Sequence, residues 1–369
     1  MFNLHSLRLP VIGAPMAGGA STPQLAAAVS NAGGLGFLAA GYKSAAAVAE
    51  QTARTRSLTG GPFGVNLFVP DAANTYAATS EEHQAGKLAA ALAYRDVLAA
   101  GAGAEPGFPD PEDDDGWAAK LDLVLRERIP VVSFTFGLPE KAVLAALAGR
   151  GICTVLTVTD ADEARAAAGA GASALCVQGP EAGGHRGTLQ SAKAPAAASL
   201  SELLHSVRDT CALPVIAAGG IGTAADAAAA LAAGAVAVQL GTALLLSTEA
   251  GTGSVHRAAL KDAAAGRRAG ETALTRAFSG RPARGLLNRF MLEHPDAPDA
   301  YPYINQITGP LRAAAAAQGD QEGISLWAGT GYRRAAEEPA EAIVRRLAGE
   351  APGGAPGESA GKTAAGTDG

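Results

Sequence analysis

Cysteine is scarce in this chain: three in 369 residues, Cys153, Cys176 and Cys211, with no CxxC pair among them. That scarcity excludes a disulfide framework and a cysteine-bound structural zinc, and no metal centre is expected. Two of the three sit inside apolar runs, where a reduced thiol serves as a small hydrophobe. Basic clusters are missing too. The 29 Lys and Arg residues are outnumbered by 35 Asp and Glu, giving a formal net charge of -6, so the electrostatic footprint of a nucleic-acid binder is absent. Each apolar stretch is broken by Gly, Asp or Pro before it is long enough to cross a bilayer, and residues 1–10 lack the pattern of a secretory signal. These absences predict a cytoplasmic protein that handles a small molecule, with no nucleic-acid or membrane partner and with a homo-oligomer left open.

What is present is core-forming material, with 48% hydrophobic residues, and a repeating order. Eight short, nearly continuous apolar runs alternate with Ala-rich helical stretches: Val11–Met16, Gly36–Ala40, Phe63–Val69, Val131–Phe136, Ile152–Val158, Ala174–Gln178, Pro214–Ala218 and Val236–Leu240. Runs of this kind suit strands covered on both faces, as parallel sheets require. Capping residues such as Thr22, Asp160 and Thr223 open the helices, and Gly-containing turns such as Gly33-Gly34, Gly171 and Gly234 close them. A doubly wound open sheet would give the same periodicity, but eight units favour an α/β fold closed as a (β/α)₈ TIM barrel.

Three segments depart from the repeat. About sixty residues separate strands three and four, too many for an ordinary connection, so an insertion is expected at about 71–128, including the acidic stretch Pro109–Asp115. The barrel itself is assigned to 1–249. Residues 250–319 are expected to form a small helical subdomain that lids the site, 320–348 to return to the barrel, and 349–369, rich in Gly, Ala and Pro, to be a tail without fixed structure.

Barrel enzymes build their sites from loops at the C-terminal ends of the strands. After strand seven comes Ala218-Gly219-Gly220-Ile221-Gly222-Thr223, and strand eight ends in Gln239-Leu240-Gly241-Thr242. Glycine lets backbone approach a ligand, and N–H groups near a helix start bind phosphate oxygens. Two such loops at this position predict a phosphate cradle. Strand six ends in Gln178-Gly179-Pro180-Glu181-Ala182-Gly183-Gly184-His185, where Gln178 can bond a cofactor ring and His185 is placed for proton chemistry near neutral pH. His5, His83, His205, His256 and His294 have no such setting and are expected at the surface.

With those segments in view, the chain resembles the nitronate monooxygenases, the FMN-dependent class formerly called 2-nitropropane dioxygenases. The resemblance is carried by residues 10–19, Phe63–Phe68, Ser133–Gly137, Gln178–Gly187, Ala218–Ile221, Gln239–Thr242 and Leu326–Tyr332, in that order, with the stretch Glu181–His185 the most telling. It implies a TIM-barrel flavoprotein that oxidises alkyl nitronates, propionate 3-nitronate among them, with O₂ to a carbonyl compound and nitrite. It also implies that FMN is held by Asn66, Gln178, Gly183, Gly219, Gly220, Gln239, Leu240, Gly241 and Thr242, with Ala14, Pro15 and Met16 near the flavin ring and His185 catalytic.

Two positions depart from the family pattern. Gly309 stands where some members carry a lysine, and Thr135 where some place a second histidine. Tyr301 and Tyr303 either contact substrate or pack the added subdomain. The alternatives are a flavin-dependent enoyl-acyl-carrier-protein reductase, which shares the barrel and needs a nicotinamide donor, and a non-catalytic FMN-binding barrel.

Overall fold

The computed structural model describes residues 1–77, 80–101, 103–193 and 197–350. Most of the expected tail, 351–369, lies outside the described residues. Eight barrel strands occur in chain order: β1 (Val11–Gly13), β2 (Gly36–Ala39), β3 (Phe63–Phe68), β4 (Val131–Thr135), β5 (Cys153–Val158), β6 (Ala174–Gln178), β7 (Val215–Ala218) and β8 (Ala237–Leu240). From β2 to β8 each strand pairs in parallel with the next, and β8 pairs with β1. The last seam, between β1 and β2, is held where the Gly13 N–H donates to Leu35 C=O at 3.0 Å and the Leu35 N–H to Val11 C=O at 3.0 Å. An α/β barrel results.

Both faces of this sheet are dry, which is why the runs read as continuously apolar. Ile12, Val131, Cys153, Val155, Cys176 and Ile216 belong to one buried cluster, inside the barrel. Their neighbours Val11, Val132, Leu156, Leu175 and Val177 belong to another, between strands and helices. Around the strands run α1 (Pro23–Asn31), α2 (Ala45–Leu58), α4 (Trp117–Arg126), α5 (Lys141–Gly149), α6 (Ala161–Ala170), α7 (Leu200–Thr210) and α8 (Ala224–Ala232). The eighth place is taken by α12 (Ala340–Leu347), whose buried Ala340, Ile343, Val344 and Leu347 make one helical face packed on α1 and α8.

Between β3 and β4, α3 (Glu81–Ala100) leaves the barrel to pack on α11 (Tyr303–Ala317), whereas α4 packs on α2 and β3 as that unit's own helix. The segment after β8 holds α9 (Ser254–Ala264), α10 (Arg289–Glu293) and α11, but it is not helical throughout. It also forms β9 (Thr272–Thr275) and β10 (Ala283–Leu286), an antiparallel pair. Unlike the barrel strands, Thr-Ala-Leu-Thr and Ala-Arg-Gly-Leu mix polar and apolar residues and form no continuous apolar run, so they do not register as strands in the sequence. Their effect is large, because β10 pairs with Gly184–His185, register Ala283 with His185 and Arg284 with Gly184. The loop after β6 is thus fixed as the edge of a second sheet.

Candidate active site

At the C-terminal mouth of the barrel lies a cavity of about 500 Å³. Among the residues singled out from sequence, Ala14, Pro15, Met16, Asn66, Gln178, Gly183, His185, Gly219, Gly220, Gln239 and Gly241 line it. Four others are placed elsewhere. Leu240 is fully buried and its carbonyl accepts from the Ala14 N–H at 2.8 Å. Thr242 Oγ1 accepts from the Gly329 N–H at 2.9 Å. Tyr303 is buried in the cluster that joins α3 to α11. Tyr301 does not line the cavity but packs against His185, with ring centroids 6.0 Å apart.

The glycine loops have the features of a cradle. Gly219 and Gly220 have φ of +118° and +72°, and a side chain at Gly220 would meet Glu181 Cβ at 3.0 Å. Gly184, with φ +74°, has nothing within 4 Å of a would-be Cβ, which would enter open space at the cavity wall. The start of α8 contributes less than expected, since Asp226 Oδ2 already accepts from the N–H groups of Gly222 at 3.0 Å and Thr223 at 2.9 Å. The capping box consumes those amides. A phosphate bound at this mouth would therefore have to be met by the backbone of Gly219–Ile221 and Gly241. Asn66 donates through Nδ2 to Ser133 Oγ at 2.9 Å and Thr135 Oγ1 at 3.0 Å, which leaves its Oδ1 as an acceptor at the cavity. An apolar floor, glycine walls and a few amides suit a flat ring with a phosphate, so these residues fit FMN.

Gln178 organises the His185 loop. Its Nε2 donates to the His185 carbonyl at 3.0 Å and its Oε1 accepts from the Gly187 N–H at 2.9 Å. Gly183 lets this loop touch the segment after β10, because a Cβ there would lie 2.4 Å from Gly329 N. The Thr330 N–H donates to Glu181 C=O at 3.0 Å. The Glu181–His185 stretch and the Leu326–Tyr332 segment thus lie backbone to backbone.

The His185 ring is caged by Phe136, Tyr301 and Trp327 at centroid distances of 5.6, 6.0 and 5.4 Å. Its Nε2 lies 2.9 Å from Ser279 Oγ, and Ser279 Oγ donates to the Arg281 carbonyl at 3.2 Å. Assigned this way, Nε2 carries the proton and Nδ1 keeps the lone pair. Burial pushes the His185 pKa down to about 3, reinforced by the Arg281 and Arg312 guanidiniums. At neutral pH the ring is neutral.

Three cavity features escaped the sequence reading. Arg312 lines the cavity, anchored by Nη2 to the Asn305 carbonyl and Oδ1, both at 2.8 Å, and by Nε to Thr308 Oγ1 at 3.2 Å. It has no carboxylate partner among the described residues. A signal existed: no acid stands three or four positions away on α11. A Cβ on Gly309 would find only Arg312 Nη2, at 4.0 Å. The cavity therefore keeps a cation although position 309 has none. His256 is no surface histidine. It lines the cavity on α9, its Nε2 lacks a protein partner, and burial pushes its pKa down to about 4 despite a hydrogen bond to the Trp327 carbonyl. His294 also packs inward, its ring 4.5 Å from that of Phe290. Tyr42, an exposed residue at the mouth, meets Tyr301 Oη with its own at 3.2 Å. No group of His, Cys, Asp or Glu among the described residues is arranged to hold a metal, and no helix there is long and apolar enough to cross a membrane.

Comparison with known proteins agrees with this geometry. The nitronate monooxygenase family pattern matches residues 1–350. A probable nitronate monooxygenase of Staphylococcus aureus (strain Newman) is 37% identical over 348 residues, 93% of this chain and 94% of that protein. The solved structure of a nitroalkane oxidase from Streptomyces ansochromogenes superposes with a TM-score of 0.84 at 48% identity, covering 94% of this chain and 97% of the other. FabK from Thermotoga maritima is more distant, with a TM-score of 0.68 at 26% identity over 93% of each chain. This chain belongs to the nitronate monooxygenase family and is an oxidoreductase.

Proposed function

We propose that this protein oxidises alkyl nitronates with O₂ on a bound FMN, giving nitrite and an aldehyde or ketone, with propionate 3-nitronate as a substrate. The observation that carries the reading is a glycine-lined cavity whose wall holds both His185 and the Arg312 guanidinium, with the buried Arg281 behind Phe136 adding to the positive field at His185. Such a site favours an anion. A histidine held near pKa 3 is far below the near-neutral value that suits a general base, so it is poorly placed to take a proton from a neutral nitroalkane. The reacting form in this reading is the nitronate anion.

Bound FMN supplies the electron acceptor and the route to O₂. The chain supplies position. His185 offers a neutral polar handle, its orientation set by Ser279 and its ring confined by Phe136, Tyr301 and Trp327. Arg312 presents positive charge to a substrate carboxylate, with Nη1 the nitrogen not spent on Asn305 and Thr308. The Staphylococcus aureus relative, a probable nitronate monooxygenase, supports nitronate chemistry, and the Streptomyces nitroalkane oxidase supports oxidation of nitro compounds more broadly.

The test compares wild type with His185→Asn. Both are expected to purify yellow with FMN near one per chain, and the variant is expected to lose most nitronate-dependent oxygen uptake. Equal turnover in the two would remove His185 from the mechanism.

A further inference from the structure

The acidic stretch Pro109–Asp115 plays no part in the chemistry above, yet one of its carboxylates holds the backbone of Tyr42, a residue of the cavity wall. Asp115 Oδ1 accepts from the Tyr42 backbone N–H at 2.8 Å, and its Oδ2 lies 2.7 Å from Nζ of Lys120, a fully buried residue on α4. Tyr42 has φ +65°, a left-handed conformation that a bulky side chain keeps only when its surroundings impose it. Its ring packs edge-on against Phe68 at 5.4 Å, and its hydroxyl meets that of Tyr301, whose ring adjoins His185.

The acidic turn is itself held in place. Gln306 on α11 donates to Asp113 Oδ2 at 2.8 Å and accepts from the Asp110 N–H at 2.8 Å, while the Gly107 N–H donates to Ile307 C=O at 2.8 Å. α11 also carries Asn305 and Arg312, both on the cavity wall. The turn therefore joins the wall made by α11 to the one made by the loop after β2.

We propose that Asp115 is a positioning residue: it holds the Tyr42 backbone in the left-handed region so that the Tyr42 ring forms part of the substrate wall, which makes the insertion part of the active site. The substrate it serves rests on the nitronate reading; the clasp does not. Neither variant alone is clean, because removing Asp115 strands the buried Lys120 ammonium. The comparison is therefore made in a Lys120→Met background, with Asp115→Asn keeping the acceptor for the Tyr42 N–H and Asp115→Ala removing it.

The Ala form is expected to raise KM for propionate 3-nitronate about fivefold, the worth of one hydrogen bond, with kcat and FMN content little changed. The Asn form should stay close to the Lys120→Met parent. Amide exchange in residues 41–43 should accelerate only in the Ala form, and Asp115→Ala should add nothing to KM once Tyr42→Ala is present. Equal KM and equal exchange in the Ala and Asn forms would overturn the proposal, as would a further KM rise on top of Tyr42→Ala. Were the wild type to turn over no nitronate, the functional reading would fail, and the exchange comparison would decide the clasp alone.

Discussion

His185 Nε2 lies 2.9 Å from Ser279 Oγ, a contact that ties the loop after β6 to the segment between β9 and β10. Because the Ser279 hydroxyl is spent on the Arg281 carbonyl, it can only accept from the imidazole. Ser279→Ala removes that acceptor and frees the ring to change tautomer. We expect kcat/KM for nitronates to fall about tenfold, in line with a loss of ~1.4 kcal/mol, while FMN occupancy is unchanged. Nitrogen NMR of the histidine ring gives the tautomer directly.

Stability should depend on pH through the same ring. The folded pKa of His185 is pushed down to about 3 and that of His256 to about 4, both below the unfolded value of about 6.5. Between those values the unfolded chain binds more protons than the folded one, so acid favours unfolding. Stability is expected to be at its full value above pH ~6.5 and to decline as pH falls toward 3. Urea denaturation at several pH values checks this, and His185→Asn should flatten the decline.

Arg312 should act on one substrate class and not another. Arg312→Ala is expected to raise KM for propionate 3-nitronate by ten- to a hundredfold, the range for a lost charge-assisted hydrogen bond of about 1.5–3 kcal/mol. For alkyl nitronates that lack a carboxylate the change should be within about threefold, less than one hydrogen bond to a neutral group. Equal losses on both would place Arg312 outside the carboxylate subsite. Steady-state kinetics with the two substrates decides.

Gly183 packs where a side chain has no room. The added Cβ of Gly183→Ala would sit 2.4 Å from Gly329 N and 2.5 Å from Ala328 C, backbone that cannot rotate away. Overpacking of this kind costs about 1–3 kcal/mol. We expect the melting temperature to drop by several degrees and FMN to be retained less well, both readable by calorimetry and the visible spectrum.

Much of the architecture was legible because buried parallel strands announce themselves locally. Val131–Thr135 and Ala174–Gln178 are nearly continuous apolar runs buried on both faces and need no distant context to be read. The Gly219-Gly220 loop was legible as backbone chemistry. What stayed hidden depends on pairing across the chain: His185 faces Ala283, 98 residues on, and no local period encodes that register. Arg312 and His256 stayed hidden for a related reason. A polar residue on an Ala-rich helix looks solvent-facing until its helix is packed over a cavity, as α9 and α11 are here.

The most direct test of the whole account is oxygen consumption by the purified, FMN-loaded protein on addition of propionate 3-nitronate, with NADH and NADPH as controls. Rapid uptake with release of nitrite is expected, and no bleaching of the flavin by either nicotinamide. A protein that consumes no oxygen with any nitronate, yet whose flavin is reduced by NADH or NADPH, would contradict it.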